Sequence, residues 1–151
     1  MPSFRNERRV RHRSDQMFDL VADVERYPEF VPLCTGLRVR SRRPDPHGRE
    51  TVLAEMSVGY KMIRERFTSR VLLDKPRLRV VVEYIDGPFS HLENIWTFRD
   101  EAEPGRSLVT FFIDYEFRSR TLGILMGSMF DAAFRKFADA FEQRADKLYG
   151  G

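Results

Sequence analysis

The 151-residue chain has a single cysteine, Cys34, so no disulfide can close within it. Its three histidines, His12, His47 and His91, stand far apart, and no ligand spacing of the zinc or iron kind joins them. No glycine-rich phosphate loop follows any strand-like run, which removes nucleotide-phosphate chemistry from the expectations. Apolar runs fall well short of the roughly 18 to 20 residues that cross a bilayer as a helix. The opening MPSFRNERRVRHRS lacks the apolar core of a secretory signal and is not expected to be a transit peptide. There is no internal repeat and no low-complexity tract. Excess charge of one sign is also small, with 26 Lys and Arg against 23 Asp and Glu.

What is present is the material of a core: 42% hydrophobic residues, 13 of them phenylalanine. One domain over residues 1–151 is expected at this length. Arg5, Arg8, Arg9, Arg11 and Arg13 crowd one end, where they either attract an anionic partner or solvate a strand face.

Phe4 to Val10 reads as an edge strand, and Ser14 as the cap of a short helix bearing Met17, Phe18, Leu20, Val21 and Val24. Pro28 predicts a break near Arg26, with a second helical turn from Glu29 to Val31. From Leu37 the period changes to two. Leu37–Arg43, Thr51–Tyr60, Lys61–Asp74, Leu78–Tyr84, Ser90–Arg99 and the run from Val109 to Phe117 are each bounded by turn residues. In Thr51–Tyr60 the apolar parity is Val52, Ala54, Met56 and Val58. In Lys61–Asp74 it is Ile63, Phe67, Val71 and Leu73, with Glu65 and Ser69 among them and Arg64, Arg66 and Arg70 opposite. Leu92, Asn94, Trp96 and Phe98 share another face, with His91 outside it. The period changes again near Leu122. Met126, Met129, Phe130, Ala133, Phe137, Phe141 and Leu148 recur every three or four residues, predicting one long amphipathic helix that ends at Gly150-Gly151. A single helix covers so large an apolar sheet face only if the sheet curls around it, which leaves room for a cavity.

Four segments in this order carry a resemblance: YPEFVPLC at Tyr27–Cys34, GPFSHLENIWTF at Gly87–Phe98, VTFFIDYEFRS at Val109–Ser119, and AFRKFADAFEQRADKLYG at Ala133–Gly150. Together they resemble the coenzyme-Q-binding, START-like family, whose bacterial members are also described as polyketide cyclase-like proteins or ribosome-association toxins. The resemblance implies an α+β helix-grip fold: a curved seven-stranded antiparallel sheet wrapped around a long C-terminal helix, with two short helices after the first strand. It implies an apolar tunnel that binds ubiquinone or a related isoprenoid quinone, with no catalytic cofactor. It further implies a chaperone or carrier supporting respiration and quinone synthesis, and a bacterial cytoplasmic location, peripheral to the inner membrane face during transient contact. The alternative it brings is a ribosome-associated inhibitor that binds the large subunit and blocks subunit joining, using the arginine faces; a cyclase-like enzyme comes third. No DNA partner is expected.

On this frame the expected tunnel wall is Val21, Tyr27, Phe30, Val31, Leu33, Met56, Phe67, Trp96, Phe111, Ile113, Met126, Phe130 and Phe134. Two prolines fix the turn in YPEFVPLC, which either gates the cavity or plugs one end of the core. Asn94 and Glu65, polar on inward parities, either meet a ligand head group or are satisfied by neighbours, an arginine in the case of Glu65. Trp96 stacks on a ring or packs in the core. Cys34 reads as a small buried hydrophobe, with no histidine nearby in sequence to activate it. Leu122, Leu125, Met126 and Met129 form the expected membrane or lid patch. Because the inward faces are so apolar, no catalytic residue, metal site or enzymatic activity is expected.

Overall fold

The computed structural model describes residues 3–150. Seven strands, β1 (Ser3–Val10), β2 (Cys34–Pro44), β3 (Arg49–Tyr60), β4 (Ile63–Asp74), β5 (Arg79–Asp86), β6 (Phe89–Asp100) and β7 (Ser107–Phe117), form one antiparallel sheet. Its order is β1-β7-β6-β5-β4-β3-β2. Helix α1 (Ser14–Ala22) and a short 3-10 helix (Val24–Glu29) link β1 to β2, and α2 (Arg120–Tyr149) closes the chain. This is the α+β helix-grip fold, with the sheet curved around the long helix.

Each strand obeys the period-two rule. Val52, Ala54 and Val58 of β3 and Leu92, Asn94, Trp96 and Phe98 of β6 are buried, while the residues between them are half-buried or exposed. Register shifts in β2 at Cys34/Gly36 and Val39/Ser41, between β4 and β5 at Thr68/Ser69, and between β6 and β7 at Phe89/His91 add the local twist that lets a sheet bend. The concave side so formed meets Met126, Phe130, Ala133, Phe134, Phe141 and Ala145 of α2.

Three local expectations change. Ser14 is the first helical residue and not the cap: it is buried, and its backbone N–H donates to Asp100 Oδ1 at 3.0 Å. The cap position belongs to Arg13, whose backbone N–H is received by Gln16 Oε1. The second short helix runs from Val24 to Glu29 with Pro28 inside it. A 3-10 turn this short needs few internal bonds, so the N–H that proline lacks costs little. Finally, Leu148 continues the helical period but is exposed, one turn beyond Ala145, the last buried residue of α2.

Candidate functional site

Between the concave face and α2 lies an apolar cavity, open at its mouth, whose interior leaves about 90 Å³ free. Strands β3, β4, β5 and β6 supply one wall through inward positions such as Met56, Phe67, Val82 and Trp96, and α2 supplies the other through Phe130, Phe134 and Phe137. The cavity exists because opposing side chains along this stretch are large and aromatic yet touch mainly edge to face. Phe89 meets Phe67, Tyr84 and Phe130 with ring centroids 5.7–5.9 Å apart and planes nearly perpendicular. Such T-shaped packing satisfies the ring quadrupoles without filling every gap.

The segment YPEFVPLC covers part of this space. Tyr27, Pro32 and Leu33 line the cavity. Leu33 holds a left-handed backbone, φ 68°, at the turn into β2, and its carbonyl accepts the Gly59 N–H at 3.0 Å. The Tyr27 hydroxyl donates to the Val21 carbonyl, and burial raises its pKa well above the ordinary tyrosine range, so it stays protonated. Phe30 does not line the wall: its ring stands 5.0 Å from that of Phe141, with the Arg144 guanidinium 5.1 Å above it. Arg144 also bonds Glu29, so Phe30 and Glu29 fasten the 3-10 helix to α2.

Of the expected wall, Tyr27, Leu33, Met56, Phe67, Trp96, Ile113, Phe130 and Phe134 face the cavity. Phe30, Val21, Val31, Phe111 and Met126 do not. Val21, Val31 and Met126 are buried in surrounding packing. Phe111 lies behind Trp96, at 4.7 Å between rings, beside a separate small void under β1. Sequence reasoning missed Ala54, Val71, Phe89, Leu92 and Phe141; Ala54, Val71 and Leu92 lie on the inward parities, whereas Phe89 has the opposite parity and is brought inward by the register shift at Phe89/His91. Which inward residue meets space and which meets its neighbour depends on the curvature of the sheet, a tertiary property.

Two polar side chains reach the cavity. Asn94 Nδ2 donates to the Phe112 carbonyl at 2.8 Å, and Asn94 Oδ1 accepts the Trp96 indole N–H at 3.1 Å. Each end of the amide thereby keeps one further bonding direction, an N–H and a lone pair. Ser69, also buried, is the second. Glu65 is not there: it lines an open groove with Arg64, Arg66, Thr35 and Ser57 at the end of the β3–β4 hairpin, and among the described residues no arginine pairs with it. Glu65 keeps its pairing opposite Val58, but it lies beyond the last β5 partner of β4, the Thr68–Asp86 pair, where the hairpin extends past the neighbouring strand. The expected patch is also redrawn. Met126 is core, Leu122 and Met129 are half-buried, and the exposed pair is Ile124 and Leu125.

Cys34 is buried, donates its thiol weakly to the Gly36 carbonyl, and has its pKa pushed up to about 11 by burial. It stays a thiol near neutrality, which suits packing and not nucleophilic attack. His91 faces outward and meets Asp114 at 3.0 Å. Among the described residues no group of histidine, cysteine, aspartate and glutamate has metal-site geometry.

The basic surface differs from the sequence expectation. Positive charge from Arg5 to Arg13 does not form one face: Arg8 turns inward to Asp139 and Glu142 on α2, Arg9 pairs with Glu101, and Arg13 with Asp15. On the convex face of β2, β3 and β4, however, Arg38, Arg40, Arg64, Arg66 and Arg70 gather against only Glu55 and Glu83. Strand β1 lies at the opposite edge of the sheet from β2, so the two basic regions are separate.

A family model described as "Polyketide cyclase / dehydrase and lipid transport" matches residues 10–142. The chain is 32% identical to Ribosome association toxin RatA of Pseudomonas aeruginosa over 89% of its own length and 88% of that protein. It is also 32% identical to Coenzyme Q-binding protein COQ10 homolog B, mitochondrial, of Xenopus laevis, over 90% of this chain but about half (54%) of that one. Among solved structures, an 18 kDa protein of Caulobacter crescentus superposes with a TM-score of 0.79 at 36% identity, each chain covered completely. The Zhui aromatase/cyclase of Streptomyces superposes at 0.76 with 17% identity, covering 99% of this chain and 98% of that one, which shows a shared fold. These findings overturn the expectation that the chain is no enzyme. The family's own description names cyclases and dehydrases, and an aromatase/cyclase is built on the same fold. An apolar lining does not exclude catalysis, since excluding water strengthens whatever few polar groups the cavity holds. The matched span, the relatives that cover nearly the whole chain and the helix-grip architecture agree: this chain belongs to the polyketide cyclase / dehydrase and lipid transport family.

Proposed function

We propose that the protein associates with the ribosome and restrains translation, docking through the convex face of β2, β3 and β4. The observation that carries this reading is the gathering of five arginines, Arg38, Arg40, Arg64, Arg66 and Arg70, against two carboxylates on that face. Rigid strands hold them in rows, and Arg40 and Arg66 share Glu55. Cations so fixed suit the phosphate backbone of structured RNA, where affinity comes from counterion release. Relatives named as ribosome association toxins, aligned over almost the whole chain, support the same reading.

The test is sedimentation of the protein with ribosomal subunits through sucrose gradients as salt is raised from about 50 to 200 mM. Co-migration that falls steeply with salt and disappears in the triple variant Arg38→Glu, Arg64→Glu, Arg66→Glu is the expected result. Absence of co-migration at the lowest salt sinks the proposal.

The cavity favours a second reading, a bound isoprenoid quinone or similar hydrophobic ligand. Its walls are apolar, and the free directions of the Asn94 amide offer one donor and one acceptor to a polar head. The COQ10 relative supports this choice of ligand. Ubiquinone added to the purified protein should quench the single tryptophan, Trp96, which lines the cavity. Unchanged fluorescence, together with no lipid in organic extracts of the protein, would count against it.

A further inference from the structure

Three connections share the end of the sheet at which α2 starts. The β3–β4 turn at Lys61-Met62, the β5–β6 turn at Gly87-Pro88 and the β7–α2 junction at Arg118-Ser119 lie there together. The Arg118 N–H bonds the Pro88 carbonyl, Arg118 Nη1 bonds the Gly87 carbonyl, and the Gly59 N–H draws in Leu33. Seven large hydrophobic side chains are exposed among the described residues, and five of them, Tyr60, Met62, Ile85, Ile124 and Leu125, belong to this end. Met62 is 94% exposed and Ile124 75%. Isolated exposed apolar residues need no explanation, but their concentration on one rim does.

The same rim carries Lys61, Arg118 and Arg120, against Glu65 and Asp86 in the neighbouring strands and turns. Glu116 and Asp131 line the same open groove as Arg118 and Arg120, where Glu116 is bonded to Ser90 and Asp131 to Arg135. Apolar tips projecting beyond a collar of cations match the interface of an anionic bilayer, where the tips enter the acyl boundary and the cations meet headgroups. Beneath the rim Leu33, Phe67, Phe89 and Phe130 belong to the cavity wall, so the exposed apolar surface continues into the apolar interior.

The attachment of α2 is asymmetric in a way that suits this end. Its C-terminal half is tied down: Arg8 bonds Asp139 and Glu142, Arg144 bonds Glu29, His12 Nε2 lies 2.7 Å from Asp146, and the Tyr149 hydroxyl reaches the Gln16 carbonyl. Among the described residues, no side-chain hydrogen bond or ion pair joins residues 120–138 to another element. That half rests on apolar packing and on the stacking of Arg135 over Phe4.

From this juxtaposition we infer that the β3–β4 turn and the first two turns of α2 form a docking end for an anionic lipid bilayer. This surface is distinct from the arginine face of β2–β4, and its test does not depend on ribosome binding. Purified full-length protein would be floated with phosphatidylcholine vesicles and with vesicles containing phosphatidylglycerol, beside Met62→Asp/Leu125→Asp and Lys61→Glu/Arg120→Glu. Leu148→Asp, which alters an exposed apolar residue at the far end of α2, is the control, and circular dichroism checks that each variant folds.

The wild type should float with phosphatidylglycerol vesicles about tenfold more tightly than with phosphatidylcholine alone. The apolar double variant should lose about tenfold or more on anionic vesicles, the charge variant should lose the preference for phosphatidylglycerol, and Leu148→Asp should behave as wild type. A wild type that fails to float with anionic vesicles, a folded Met62→Asp/Leu125→Asp that floats unchanged, or an equal loss in Leu148→Asp overturns the inference. Quinone retained in the cavity of a protein that does not float would overturn this docking end and leave the ligand reading standing.

Discussion

Replacing Asn94 by leucine isolates the polar pair inside the cavity. The side chain is buried, matched by leucine in branching and in number of heavy atoms, and engaged at both ends: it accepts from Trp96 Nε1 at 3.1 Å and donates to the Phe112 carbonyl at 2.8 Å. The variant leaves the indole N–H, on a residue only 3% exposed, without that acceptor. A buried donor left unpaired costs about 1–3 kcal/mol. The Phe112 carbonyl is less affected, for it has two lone pairs and sits in the ladder between β1 and β6. A net loss of about 2 kcal/mol follows, equivalent to a fall of about 4–8 °C in Tm for a chain of this size. The diagnostic quantity is the coupling. In a Trp96→Phe background no indole N–H remains to be orphaned, so the same Asn94→Leu change should cost about 1 kcal/mol less. Urea unfolding of all four proteins, followed by circular dichroism, measures it. A coupling energy within about 0.3 kcal/mol of zero would refute the claim that these two side chains act as a unit.

Three further outcomes are expected. Phe130→Ala removes a ring packed 5.6–5.7 Å from those of Phe89, Phe117 and Phe134, and should lower stability by about 3 kcal/mol, the lower end for such deletions because space already adjoins the site; an unchanged urea midpoint would contradict this packing. Gly87→Ala sets a Cβ 2.5 Å from that of Phe67 at a φ of +148°, and a loss of about 2 kcal/mol should appear as a lower Tm, whereas a Tm equal to wild type would show that the turn relaxes freely. Cys34, raised from 9.0 to about 11, binds its proton more tightly folded than unfolded, so its contribution to stability is complete below about pH 8.5 and is lost as pH climbs toward 11; Ellman's reagent at pH 8 should find it silent in the folded protein and reactive in urea, and fast labelling of the folded chain would show the burial to be wrong.

Much of the architecture was legible in the alternation itself. Val52 to Val58, Leu92 to Phe98 and Val109 to Tyr115 announce their inward faces residue by residue, because a strand buried on one side has no other way to separate oil from water. The heptad-like stripe from Leu122 to Phe141 announces α2 for the same reason. Local chemistry was less legible where a distant residue intervened. Asp100, at the end of β6, takes the Ser14 N–H and moves the helix cap to Arg13, and nothing near residue 14 foretells it. Phe30 looked like a wall residue because it is apolar in a rigid turn, but it packs behind Phe141 under Arg144, 114 positions away, and so stands beside the cavity and not on its wall. Glu65 has the parity of an inward residue, but it sits where the β3–β4 hairpin runs past the end of β5, so it lines an open groove.

Periodicity and segment order thus determined the elements, their pairing as an antiparallel sheet and the identity of the covering helix, since these follow from short-range burial rules. The cavity, its boundary between Trp96 and Phe111, the gathering of Arg38 and Arg40 with Arg64, Arg66 and Arg70, and the apolar rim at Met62 and Leu125 were decided by the tertiary structure alone. Each depends on how far a sheet bends and which strands become neighbours, and those are sums over contacts between residues distant in the chain.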